Sequence, residues 1–262
     1  MFQSLWIWIL EELTTYSRHG EPIFLMPKAL EAQRILRVSN TVFHNHSFMD
    51  QCHSFQMAFQ NQNETIYLLD FLVRDAAAEK RHELNDILHQ SGSIWTIGSF
   101  HEHSCLIRRV SGEMFETYER ALHDIENQKH LQQAMKRAYG VNPNPSAAYA
   151  EAIKAIESVV CPLVTPKDSV STLGKVISVL KDQSWDFSAN AKNEDSESVV
   201  VKLMDIVWRG QTDRHGSAKS SQGITQEQAE FAFSAALFLI ENFQKGRIRR
   251  RAQEGFNITE TE

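Results

Sequence analysis

Between Asn144 and Phe243 apolar side chains recur at helical spacing in four successive runs, so this part of the chain has to fold as packed helices. The first run follows the clear break "VNPNPS". Asn144 is suited to cap it and Pro145 to stand at its first position. Ala148, Ala152, Ala155, Ile156, Val159 and Val160 then make one broad apolar side, which Pro162 limits. In the second run, "STLGKVISVLKD", Leu173, Val176, Ile177 and Leu180 share a face. A polar connection, "WDFSANAKNEDSE", leads to the third, "SVVVKLMDIVWRG", which ends near Gly210. The fourth, "TQEQAEFAFSAALFLIENFQKG", opens on the capping-box pair Thr225 and Gln228 and carries Ala229, Phe233, Ala236, Leu237 and Ile240 on its buried face. A bundle of four or five helices is expected here.

The first half also reads as mainly α, with one small β-hairpin. A first helix is expected over Phe2 to Tyr16, starting in "FQSLWIWIL". That apolar stretch is nine residues long, against about twenty for a spanning helix, and it lacks the basic flank and cleavage site of a signal peptide. "MPKALEAQRILRVSN" sets Leu30, Ile35 and Leu36 near helical spacing behind a proline. "HNHSFMDQCHSFQMAFQNQN" fits no single period, and "ETIYLLDFLVRDAAAEKRHELNDILHQSG" reads as one or two helices ending at Gly92. "SIWTIG" and "CLIRRVSG" are the expected hairpin strands. One long amphipathic helix should follow, with Phe115, Leu122, Ile125, Leu131 and Met135 inward and Gly140 closing it. The expected division is 1–127 for an N-terminal helical domain with the hairpin, 128–246 for the helical bundle, and 247–262 for a frayed basic-then-polar tail.

Composition excludes several classes. A net charge of −6 argues against a protein that coats nucleic acid unspecifically, while leaving room for a local basic site. Three scattered cysteines, Cys52, Cys105 and Cys161, without CxxC spacing, suit a reducing compartment, and a cytoplasmic protein with no membrane partner is expected. No glycine-rich phosphate loop, GxSxG or dinucleotide fingerprint occurs, and "TLGK" lacks the glycine that a phosphate loop would need. His44 and His46 in "HNH", and His101 and His103 in "HEH", lack the spacing of a helical zinc pair and read as surface histidines. Neither metal nor cofactor is expected.

The stretch "RGQTDRHG", Arg209 to Gly216, admits two readings. It can be an ordinary helix-to-helix turn. Alternatively, a helix stopping at Gly210 lets the chain fold back, so that Arg209 and His215 share a pocket. On one continuous helix, six positions would turn the two side chains far apart. A guanidinium matches a phosphate bidentately, and an imidazole exchanges protons near neutral pH. Together they can cleave RNA without a metal.

The alanine-rich run with "AIES" at Ala155–Ser158, then Arg209 and His215–Gly216 separated by small polar residues, then the alanine-rich last run, come in an order that resembles the HEPN superfamily, in its bacterial abortive-infection-type C-terminal branch. The resemblance covers roughly Gln128 to Phe243, and "LNDILHQSGSIWTIG…CLIRRV" is similar to the region preceding such domains. It implies a HEPN-like helical bundle, a homodimer in which two motifs meet in one cleft, and a metal-independent endoribonuclease of antiviral defence or toxin type, with RNA as substrate. Arg209 and His215 fall on the catalytic arginine and histidine. Gly210 departs from the asparagine, aspartate or histidine often found after that arginine, and Arg214 stands directly beside His215. The alternative is a non-catalytic HEPN module for dimerisation or nucleic-acid binding inside a larger defence complex. The N-terminal domain would sense a trigger, recruit a defence partner or restrain the toxin.

Other residues have two readings each. Glu157, on a mostly apolar helix, could orient Arg209 or His215, or could make an ordinary salt bridge. Arg214, Gln211 and Asp213 are candidate phosphate contacts or plain loop polarity. Lys245, Arg247, Arg249, Arg250 and Arg251 could hold an RNA backbone, or simply complement a helix C-terminus.

Overall fold

The computed structural model describes residues 2–38, 47–59, 61–100, 103–122, 125–188, 198–211 and 223–250. It is mainly helical, with small antiparallel strand pairs. Contacts divide the chain into two units: Met1–Arg109 with Tyr139–Asn142, and Val110–Ala138 with Pro143–Glu262. The dividing line thus falls at Arg109 rather than at 127. Residues 110–122 go with the second unit because Tyr118 packs against Phe233 and Arg120 binds Glu241 there.

In the first unit α1 (Phe2–Glu12) ends earlier than expected, and β1 (Thr14–Tyr16) pairs with β2 (Pro22–Phe24). Thr14, Thr15 and Tyr16 favour extended backbone. The turn between the strands is closed by the Ser17 hydroxyl, which accepts from the His19 and Glu21 N–H groups. Four helices follow: α2 (Met26–Leu36), α3 (Phe48–Ala58), α4 (Gln62–Val73) and α5 (Ala78–Gln90). On α2 the buried positions are Ala29, Ala32 and Gln33, whereas Leu30 and Ile35 are exposed. The hairpin is present, as β3 (Trp95–Phe100) and β4 (His103–Arg108) with Ile97 opposite Leu106. Trp8, Phe55, Phe59, Leu68, Leu72 and Leu84 form its core, and the Trp8 indole donates to Lys80 O at 2.8 Å, tying α1 to α5.

In the second unit the long helix expected after Gly112 is two: α6 (Gly112–Ala121), capped by Ser111, and α7 (Ile125–Tyr139). Then come α8 (Pro145–Val164), α9 (Leu173–Asp182), α10 (Val199–Gly210) and α11 (Gln226–Gln244). Asn144 caps α8 as expected, Thr225 and Gln228 form the capping box of α11, and the inward residues named for α8, α9 and α11 are buried. Pro162 lies inside α8 and the helix runs two residues past it, near enough its end for the lost N–H bond to be tolerated. The "WDFS" connection and the start of the tail are strands: β5 (Trp185–Phe187) pairs with β6 (Ile248–Arg250). Alternation explains it, since Trp185 and Phe187 place their rings 6.4 and 5.6 Å from Phe243 and Phe238 of α11. Among the described residues no helix is long and apolar enough to cross a membrane.

The pairing of α8 with α11 is the most extensive helix contact, and Ala148, Ala152, Ala155, Ala229, Ala232 and Ala236 are all fully buried. Close packing leaves no room for a larger side chain. Ala152→Leu should cost about 1–3 kcal/mol in urea unfolding, while Ser234→Ala, at an exposed position of α11, should stay within about 0.5 kcal/mol of wild type.

Candidate functional site

The candidate site begins at the C-terminal end of α10. Ser198 caps this helix, and Val200, Val201, Met204 and Val207 bury its inner face. Arg209 stands outward in its last turn with its side chain 75% exposed. Its Nε lies 2.8 Å from Oδ2 of Asp205, one turn back. That contact engages one edge of the guanidinium, and among the described residues the two terminal nitrogens make no ion pair.

What ends the helix is a contact from α8. The Tyr149 hydroxyl donates to Val207 O at 2.9 Å in a buried bond, satisfying a carbonyl of the last helical turn. A Cβ at position 210 would sit 2.2 Å from the same hydroxyl oxygen. Gly210 is therefore imposed by packing. Gln211 follows with φ −78° and ψ 76°, out of the helix, and is half-buried. Asp213, Arg214 and His215 lie outside the described residues, as does Arg251.

Glu157 does something the sequence did not suggest. Its Oε1 accepts the Leu173 N–H at 2.7 Å, in the first turn of α9, where the Thr172 side chain makes no cap bond. A carboxylate there also suits the helix dipole. α9 in turn carries Gly174, where a Cβ would lie 2.9 Å from the Trp208 ring. Glu157 thus fixes the start of α9, and α9 receives the side chain that precedes Arg209. The glycine of "TLGK" is a packing position for an indole. At the end of α8, burial raises the Cys161 thiol, and the Glu157 and Asp168 carboxylates push it the same way. Asp168 binds Lys175, which holds its carboxyl below the ordinary value.

The cationic run is divided. Lys245 binds Glu241 at 2.5 Å, and the same carboxylate takes Arg120 at 3.2 Å. Those bonds hold Glu241 below the ordinary carboxylate value, the one from Lys245 first. Arg247 gives its carbonyl to Ser188 N, and Arg249 and Arg250 stand on β6 opposite Asp186 and Trp185, exposed to solvent. Of the singled-out histidines, His103 lies 3.4 Å from Asp75, and His44, His46 and His101 lie outside the described residues.

Sequence reasoning missed Tyr149, Asp205 and the pair His130–Glu151. The Asp205–Arg209 spacing was a usable helical signal. Tyr149 and Val207 are 58 residues apart and left none. His130 Nδ1 of α7 lies 2.7 Å from Oε2 of Glu151 on α8, whose other oxygen takes Lys154 at 2.9 Å. Burial alone would raise the Glu151 carboxyl, but the hydrogen bonds with His130 and Lys154 outweigh it and hold it below the ordinary carboxylate value.

Among known proteins, no family model, no curated protein and no solved structure matches the chain.

Two outcomes test this geometry. Gly210→Ala would normally stabilise a helix by about 1 kcal/mol; here it should destabilise by about 1–3 kcal/mol. Most of that penalty should vanish in a Tyr149→Phe background, measured as the coupling in a urea double-mutant cycle. The contribution of Glu151, whose folded value is depressed, is present above its unfolded value and lost as pH falls through the folded one. Glu151→Gln should therefore flatten the fall in stability on acidification from about pH 5 to 3, read by thermal melts across that range.

Proposed function

We propose that this protein is a metal-independent endoribonuclease of the HEPN type, acting in bacterial antiviral defence by abortive infection or as a toxin. The observation that carries the reading is Arg209: an outward guanidinium at a helix end, oriented by Asp205, in the turn from which the chain leads on to His215. The element order around it supports the likeness, with the alanine-rich α8 bearing Ala155–Ser158, then α10, then the alanine-rich α11. In this reading His215 moves the proton of the RNA 2'-hydroxyl or of the leaving 5'-oxygen. The Arg209 terminal nitrogens offset the charge that builds on the phosphorane-like transition state. The P–O bond to the 5'-oxygen breaks as the 2'-oxygen bonds to phosphorus, leaving a 2',3'-cyclic phosphate and a 5'-hydroxyl.

Two copies would bring their motifs into one cleft, the histidine of one beside the arginine of the other, so a homodimer is the proposed catalytic unit. Gln211, Asp213 and Arg214 would line it. Arg247, Arg249 and Arg250, exposed and without an ion pair among the described residues, would hold an RNA backbone, whereas Lys245 has its charge on Glu241. Glu157 acts as a positioning residue through α9.

A second reading is a non-catalytic HEPN module for dimerisation or nucleic-acid binding within a defence complex. Gly210 favours it, because the Tyr149 hydroxyl fills the space of the polar side chain often found there.

Incubation of the purified protein with total RNA in a chelator separates the two. The nuclease reading expects cleavage with 2',3'-cyclic phosphate ends, reduced about a hundredfold or more by Arg209→Ala or His215→Ala. Both substitutions should also relieve growth arrest on induced expression. A requirement for a divalent ion, or RNA retained intact by all three proteins, removes it.

A further inference from the structure

Away from Arg209, the first unit holds a cavity of about 390 Å³ between α1, the start of α4, the end of α5 and β3. That volume is in the range of small-molecule sites, roughly 300–1,000 Å³. Its walls include Leu5, Ile66 and Leu88, and two aromatic side chains, Trp95 and Tyr67, also line it. Both rings are half-buried, and neither makes a ring–ring contact among the described residues. The two side-chain amides lining it, Gln62 and Asn63, are exposed and make no side-chain hydrogen bond within the described protein. The helix start they occupy is already closed by the reciprocal bonds of Asn61 and Glu64, so these amides are not needed as caps. Among the described residues no Asp, Glu, Lys, Arg or His lines the cavity.

We propose that this cavity binds the base of a neutral purine nucleoside, an adenosine-type ligand, between its aromatic and aliphatic walls. A base offers a flat face for stacking on indole and phenol rings. An asparagine or glutamine amide pairs bidentately with the N6 and N7 edge of adenine, donating to N7 and accepting from N6. With no cation in the lining among the described residues, a phosphate drawn in with the base would lose its water without gaining a counter-charge, so the uncharged nucleoside is the better guest than the nucleotide. The site is independent of the ribonuclease reading and stands or falls without it.

The test uses the full chain, titrated with adenosine and with adenosine 5'-monophosphate and followed by calorimetry. Saturable binding of adenosine at one per chain, tighter than that of the monophosphate, is expected. Asn63→Asp with Gln62→Glu keeps polar residues compatible with a helix start but removes both amide donors, and should weaken adenosine about tenfold or more. Ile94→Trp, at a rim position 63% exposed, should block the mouth and abolish binding without lowering the melting temperature. Arg209→Ala should bind as wild type does. Absence of saturable adenosine binding, monophosphate binding as tight as that of adenosine, or binding untouched by the Ile94 and amide variants would overturn the proposal.

Discussion

The second unit depends on one helix having to be covered on nearly every side. From Ala229 to Phe243, α11 is exposed only at Phe231, Ser234 and Phe238. Burying that much apolar surface, at about 25 cal/mol per Å², outweighs local preferences around it. α8 lies along it through alanine faces, α6 sets Tyr118 against Phe233, and the pair β5–β6 brings Trp185 and Phe187 onto its last turns. The strands exist for the same reason. A short two-stranded ribbon is marginal alone, and here α11 supplies its apolar wall.

The end of α10 depends on that scaffold at second hand. α8 donates the Tyr149 hydroxyl that satisfies Val207 O and excludes a side chain at Gly210. The same helix carries Glu157, which fixes the start of α9, and α9 accommodates the Trp208 ring. The turn that presents Arg209 is therefore held from two directions by α8, one direct and one through a neighbouring helix. What is fixed in this way is the backbone at the helix end, while the Arg209 side chain stays 75% exposed beside Asp205.

The first unit is built differently. Its core is aromatic and leucine-rich rather than alanine-rich, and the bulk of Trp8, Phe55 and Phe59 is what fills it. Shorter helices meeting a two-stranded ribbon leave a hollow beside Trp95 whose described lining is uncharged.

Local rules carried the parts of the fold that depend on neighbours in the chain. The caps at Asn144 and Thr225, the inward faces of α8, α9 and α11 and the hairpin from Trp95 to Arg108 were all legible, because each arises from residues a few positions apart. Local rules failed where distant partners decide. Leu30 and Ile35 face out although their spacing looked inward, Thr14–Tyr16 left the first helix for a strand, and Trp185–Phe187 became one in a polar stretch. At the candidate site the sequence alone supplied the residue types, an arginine at the end of a helix with a histidine six positions on. Only tertiary structure decided that Tyr149 imposes Gly210 and that Glu157 is spent on the N-terminus of α9. Spacing encodes what one helix can do for itself, whereas a hydroxyl 58 residues away acts only once the chain has packed.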